Sequence, residues 1–182
     1  MRSIFELGAQ HRLAARLAEQ RRSLFRLASM WCHDRSLADD LTQEALTKAL
    51  ARVHQLRDPE RLRPWLYGIL VNCWRDHLRS RRPAEDIESV DERSLALPDV
   101  TESSASHAQL VARVRACVAR LPAAQCEVLA LVDLEGCTYA EVAEILAIPA
   151  GTVMSRLCRA RAALREMLAD GHNEAAGLRR VK

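Results

Sequence analysis

The sequence predicts an all-α protein: two small helical domains joined by a flexible acidic linker, the second carrying a helix-turn-helix. Three observations predict it. Ala, Leu, Arg and Glu dominate while β-branched runs are nearly absent, which favours helix throughout. Apolar residues recur at helical spacing in segment after segment. Charge is also partitioned: residues 1–82 hold 16 basic and 9 acidic side chains, residues 83–105 hold 1 and 7, and residues 106–182 hold 10 and 8. Two basic blocks around an acidic strip suggest two nucleic-acid-facing modules and a linker. The expected boundaries are therefore a first domain over 1–82, a linker over 83–105, a second domain over 106–170 and a frayed tail over 171–182. A hydrophobic content of 49% over 182 residues is enough for real cores.

Taken in order, Met1 to about His33 offers one or two amphipathic segments, with Leu13, Leu17, Leu24, Leu27, Ala28 and Trp31 as the apolar side. The interleaved Arg residues there read as a solvated face. Asp34 or Ser36 can cap the next helix, LADDLTQEALTKALARV, along which Leu37, Leu41, Ala45 and Ala49 recur. Asp39, Asp40 and Glu44 gather in its first half. They either complement the helix macrodipole or form an acidic docking face for a basic partner. Arg57-Asp58-Pro59-Glu60-Arg61 is a polar loop, followed by a long helix in which Pro64 suits the first turn. Leu62, Trp65, Leu66, Ile69, Leu70, Cys73 and Leu78 give that helix a broad apolar face. Arg75, Arg79, Arg81 and Arg82 in its second half suit both the dipole and a phosphate backbone. Aromatics beside basic residues are what single-strand binders use, although Trp65 and Trp74 are more readily read as core.

Residues 83–105 are acidic, bounded by Pro and without apolar period, as a flexible linker would be. From Ser106 a helix carrying Leu110, Val111, Val114 and Val118 is expected to end near Leu121-Pro122. Ala124–Leu134 should form another, closed by Gly136. Thr138 with Glu141 then makes a capping box for a short helix bearing Val142, Ala143, Ile145 and Leu146, interrupted at Ile148-Pro149. The following helix, Pro149 to Leu168, places Val153, Leu157, Ala160, Leu164 and Leu168 on one stripe. Opposite lie Gly151, Thr152, Ser155, Cys158, Arg159 and Ala162, with Arg156, Arg161 and Arg165 on the flanks. An apolar back, a front of small and hydrogen-bonding residues and basic flanks are what major-groove docking needs.

The six cysteines form no CxxC and pair with no spaced His cluster, so no metal site and no cofactor are expected. Most fall within helical apolar periodicity; Cys158 falls on the DNA-facing side. No signal sequence or bilayer-spanning run is legible, which implies a cytoplasmic protein without membrane insertion. No nucleophile constellation or carboxylate cluster points to catalysis, and no catalytic residue is expected.

The order of these motifs is specific: DDLTQEAL, RPWLYGILVNCWRDHLR, an acidic linker, then LPAAQCEVLALVDLEGCTYAEVAEILAIPAGTVMSRLCRARAAL. From about Leu24 to Leu168 it resembles the extracytoplasmic-function (ECF) group of the sigma-70 family of bacterial RNA polymerase sigma factors. The resemblance implies a region-2-like first domain and a region-4-like second domain that bind core RNA polymerase and direct it to promoter DNA. It places core-polymerase contacts at Asp39, Asp40, Leu41, Gln43 and Glu44. It assigns the melted −10 strand to Leu56, Arg57, Asp58, Arg61, Asn72, Arg75 and Arg79, with Asn72 lining a pocket for a flipped-out base. The −35 duplex falls to Thr152, Ser155, Cys158 and Arg159, with Arg156 and Arg161 toward phosphates. Control is implied to come from an anti-sigma factor wrapping both domains, through which the protein could be tethered to a membrane. Many members carry a basic residue where this chain has Met154 and a larger one where it has Cys158. Two rivals compete with this reading. A one-component helix-turn-helix regulator would need a ligand pocket or dimer interface in the first half; a DNA-acting enzyme would need a catalytic cluster.

Overall fold

The computed structural model describes residues 15–56, 58–81 and 102–177, and every regular element among them is helical. The expected linker over 83–105 lies almost wholly outside the described residues. Helix α1, Arg21–Cys32, ends where His33 turns to a positive φ of 54° and returns its N–H to the Ser29 carbonyl at 3.2 Å. Helix α2, Arg35–Ala51, starts at Asp34, whose carboxylate accepts the Ser36 and Leu37 N–H groups at 2.8 and 3.1 Å. Of the two expected caps, Asp34 takes the position. A short 3₁₀ turn, Pro59–Arg61, then leads into α3, Leu62–Ser80, with Pro64 in the first turn where its missing N–H costs little.

Leu24, Leu27, Leu41, Ala45, Leu66 and Leu70 meet between α1, α2 and α3 and are buried, as is Leu17 just ahead of α1. Each buried Leu contributes about 2 kcal/mol of transfer free energy. Tyr67, Val71 and Trp74 are also buried, giving α3 a wider buried face than the expected apolar stripe. Leu13 lies outside the described residues.

In the second half, α4 spans Glu102–Ala119, beginning four residues ahead of the expected boundary at 106. Leu110 was expected on its apolar side but is 56% exposed, while Val118 is buried. The expected helix 124–134 divides in two: α5 is Ala123–Leu129, and Ala130–Leu134 continues as a π-helical turn. Gly136 closes it with φ 69°, as a residue following a helix C-terminus often does. Helix α6, Tyr139–Leu146, is opened by the capping box: Thr138 Oγ1 accepts the Glu141 N–H at 3.2 Å, and the Glu141 carboxylate accepts the Thr138 N–H at 2.7 Å. The final helix, α7, runs over Ala150–Gly177, beyond the Leu168 expected from the apolar stripe. The frayed tail expected from 171 is therefore helical as far as 177, and residues 178–182 lie outside the described set. Helices α4, α5 and α6 all pack on α7.

The two halves share one continuous buried cluster, with α3 against α6 and α1 against α4, α5 and the π turn.

Candidate nucleic-acid interface

The turn between α6 and α7 is set by Ala147, at a positive φ of 54°, rather than by Pro149 alone. Ile148 donates its N–H to the Ala143 carbonyl at 3.0 Å, and the Pro149 carbonyl accepts the N–H groups of Thr152 and Val153 at 2.9 and 3.2 Å. This fixes the rotation of α7. Val153, Leu157 and Ala160 point into the core, at most 2% exposed. Cys158 and Arg159 are exposed on the opposite side, with Thr152, Ser155 and Arg156 half-buried beside them. The Ser155 hydroxyl donates to the Thr152 carbonyl at 3.1 Å, tying the two together. Arg161 differs from its neighbours: its Nε donates to Asp133 Oδ2 at 3.1 Å while its other arm grips Asp133 Oδ1. That contact holds the Arg161 pKa above the ordinary arginine range. Asp133 comes from the π turn, 28 positions away, so no local pattern could have announced it.

A cavity of about 680 Å³ lies against α3 and the loop before it. Leu56, Asp58, Arg61, Asn72 and Arg75 all line it, together with half-buried Trp65. Five of the seven residues expected at the melted strand are thus brought together. Arg57 lies outside the described residues, and Arg79 is not in the lining; it pairs with Asp76 at 2.9 Å. Asp58 also serves the backbone, accepting the Glu60 N–H at 2.9 Å to cap the 3₁₀ turn. The two tryptophans part company. Trp74 is core at 6% exposure, whereas Trp65 is half-buried and lines the cavity.

The acidic face of α2 is real but smaller than expected. Asp40, Gln43 and Glu44 are exposed and Asp39 half-buried, but Leu41 is only 2% exposed. Leu41 therefore anchors α2 in the core and cannot contact a partner without unfolding it, which corrects its assignment to the docking surface. The helix begins at Arg35 with no acidic residue in its first turn, so the macrodipole, which fades within one turn, does not account for Asp39 and Asp40. Asp39 takes the Arg21 guanidinium and the Gln43 amide at 3.0 Å, and Glu44 pairs with Lys48 at 2.7 Å.

Across the seam between the halves lies a set of contacts that sequence reasoning missed. The Glu135 carboxylate is fully buried. It accepts from Arg26 at 2.8 Å, Arg63 at 3.1 Å and the Tyr67 hydroxyl at 2.6 Å. Burial first, and then this carboxylate, push the Tyr67 hydroxyl up to about 12. Arg75 reaches Glu127 at 3.2 Å and the Leu146 carbonyl at 3.3 Å, and Arg61 pairs with Glu144. Cys126 donates to the Met30 carbonyl at 3.4 Å, and burial raises its thiol to about 12. Cys73 and Cys117 are also buried, as small core residues should be.

Among the described residues no cluster of three or more His, Cys, Asp or Glu could hold a metal, and no helix is long and apolar enough to cross a membrane.

A helix-turn-helix with Cys158 and Arg159 on its outer face, packed with a second helical module whose cavity is lined by Trp65, Asn72 and arginines, is the architecture of a two-module DNA-binding protein. The sigma-70 region 2 family model matches residues 17–84 and the sigma-70 region 4 model matches residues 112–164. The RNA polymerase sigma-H factor of Pseudomonas aeruginosa is 35% identical over 75% of each chain. The ECF RNA polymerase sigma factor SigM of Mycobacterium tuberculosis is 31% identical over 92% of this chain and 85% of its own. Among solved structures, the sigma factor RpoE in complex with the anti-sigma factor NepR from Bartonella quintana matches with a TM-score of 0.67. It has 26% identity, over 85% of this chain and 95% of its own. CnrH in complex with the cytosolic domain of CnrY matches with a TM-score of 0.63 and 25% identity, over 90% of each chain. The chain belongs to the ECF group of the sigma-70 family of RNA polymerase sigma factors. That family is one of non-enzymatic transcription initiation factors.

Proposed function

We propose that this sigma factor divides promoter reading between the two surfaces just described. Residues 1–82 capture the melted −10 strand and bind core polymerase, residues 106–170 read the −35 duplex, and residues 83–105 connect them. The α7 face of Thr152, Ser155, Cys158 and Arg159 enters the major groove, with Arg156 and Arg161 at phosphates. Arg159 can bond a guanine edge twice, and the small Cys158 lets the helix approach closely. Asp39, Asp40, Gln43 and Glu44 form the core-polymerase contact.

The observation that carries the −10 assignment is the convergence of Asn72, Arg61, Arg75 and Trp65 on one cavity. An unpaired base needs three things: a hydrogen-bonding edge partner, an aromatic surface and cations for its phosphates. Asn72 supplies the first, Trp65 the second and the two arginines the third. An anti-sigma factor that engages both domains fits as the regulator; one structural relative, the sigma factor RpoE, is itself in complex with an anti-sigma factor. The protein acts in the cytoplasm, where the polymerase is, and carries no catalytic step of its own.

Asn72 is exposed and holds no core contact, so replacing it leaves the fold intact. In holoenzyme, Asn72→Ala is expected to slow formation of the permanganate-reactive open complex while closed-complex binding stays near wild type. Equal losses in both steps would remove Asn72 from the base pocket.

A further inference from the structure

The outward face of α7 has two unlike flanks. At about 100° per residue its centre runs through Gly151, Cys158 and Ala162, all exposed. Thr152, Ser155 and Arg159 stand on one side of that line and Met154 on the other. Met154 is 56% exposed, and among the described residues no other large apolar side chain of α7 is so open to solvent. A single exposed apolar residue on an ordinary surface needs no explanation. Met154 has a different setting. Cys158 follows it at i+4, so the two are neighbours on the helix surface, and neither carries a strong hydrogen-bonding group. Two polar side chains around them are committed elsewhere. The Ser155 hydroxyl donates to the Thr152 carbonyl at 3.1 Å, and the Arg161 guanidinium holds Asp133 of the π turn. The Met154 flank therefore offers base edges a polarisable apolar surface, while Arg159 offers hydrogen bonds from the opposite flank.

The floor of the major groove has one methyl group to match that surface, the C5-methyl of thymine; donors and acceptors mark the other base edges. Covering a donor or acceptor with a thioether strips its water and returns no strong bond, so this flank disfavours polar edges. We propose that Met154 is a specificity-determining residue of the −35 contact: its thioether packs against the C5-methyl of a thymine, with the small Cys158 leaving room for that methyl one turn along. The proposal rests on the α7 reading above and adds a base preference to it. Methionine suits this role because its unbranched, polarisable chain adapts to an irregular apolar surface. Burying one methyl group corresponds to about fourfold in affinity.

The test is selection by holoenzyme from duplexes that carry a randomised promoter-length segment. Binding is then measured on the selected site with single thymines of the −35 element replaced by deoxyuridine. That exchange removes the C5-methyl and leaves every hydrogen-bonding group in place. Wild-type holoenzyme is expected to enrich a −35 element containing a thymine at which deoxyuridine weakens binding about three- to fivefold. Met154→Ala, on an exposed side chain, should keep the wild-type melting temperature and bind the thymine and deoxyuridine sites alike. It should also lose the enrichment at that position. Where Arg159→Ala relaxes the selected sequence, a wild type indifferent to every deoxyuridine would overturn the proposal, and so would an unchanged thymine dependence in Met154→Ala. If Arg159→Ala relaxes nothing, or the wild type enriches no −35 element, the reading assigned to α7 fails and the thymine contact falls with it.

Discussion

Arg159→Ala isolates base reading from everything else α7 does. Arg159 is exposed and has no ion-pair partner among the described residues, so its removal orphans no carboxylate and leaves no cavity. The contrast is Arg161, two positions on, whose guanidinium is already engaged by Asp133. Truncating Arg161 exchanges one exposed, solvent-screened ion pair against a phosphate contact. A bidentate arginine–guanine contact is worth about 1–3 kcal/mol of discrimination. Arg159→Ala should therefore cut the preference of holoenzyme for its native −35 element over a permuted one by about 5- to 150-fold. The assay is competition binding of holoenzyme to the two promoter fragments, with core association and thermal melting measured in parallel. Arg161→Ala should instead weaken both fragments alike and flatten the salt dependence. If Arg159→Ala weakens native and permuted fragments equally, Arg159 is a phosphate contact and the orientation assigned to α7 is wrong.

Reversing Asp39 and Asp40 to Lys should weaken association with core polymerase, measured by fluorescence titration, with the helical content unchanged; unaltered association would remove the docking role. Leu157→Ala, at 2% exposure on the inner face of α7, should cost about 2–5 kcal/mol in chemical denaturation. A loss under 1 kcal/mol would mean that α7 packs less tightly than described. The Glu141 carboxyl is held below the ordinary glutamate range, first by the Thr138 N–H and then by the Thr138 hydroxyl. A depressed pKa gives stability that is present above the unfolded value, about pH 4, and is lost as pH falls through the folded value. Thr138→Ala should accordingly cost about 1 kcal/mol at neutral pH and less below pH 4 in melts run across that range. A pH-independent cost would detach the Thr138 hydroxyl from the Glu141 carboxylate.

What was legible in the sequence is what is local. The Thr138–Glu141 box, the Asp34 cap, Pro64 in a first turn and the Val153–Leu157–Ala160 stripe each depend on residues a few positions apart. All four are present, Asp34 being one of the two caps expected there. The cavity proposed for the −10 strand was reachable only through resemblance, because Leu56 and Asn72 are brought together by a loop whose path no periodicity encodes. Leu41 was misplaced for a related reason. A position inside an acidic segment was read as surface, while its spacing to Ala45 and Ala49 already put it on the buried stripe. The seam was not legible at all. Glu127, Glu135 and Glu144 look like ordinary solvated charges in sequence, and their partners stand 52 to 109 positions away.

The central claim, that these two surfaces together direct initiation, is tested most directly by run-off transcription. Purified core polymerase would be supplied with fragments of the chain's own upstream region, with and without the protein. The account predicts a single start site that appears only with the protein and is weakened by Arg159→Ala at the −35 element and by Asn72→Ala at strand opening. A start site that appears with the protein but is indifferent to both substitutions would contradict it.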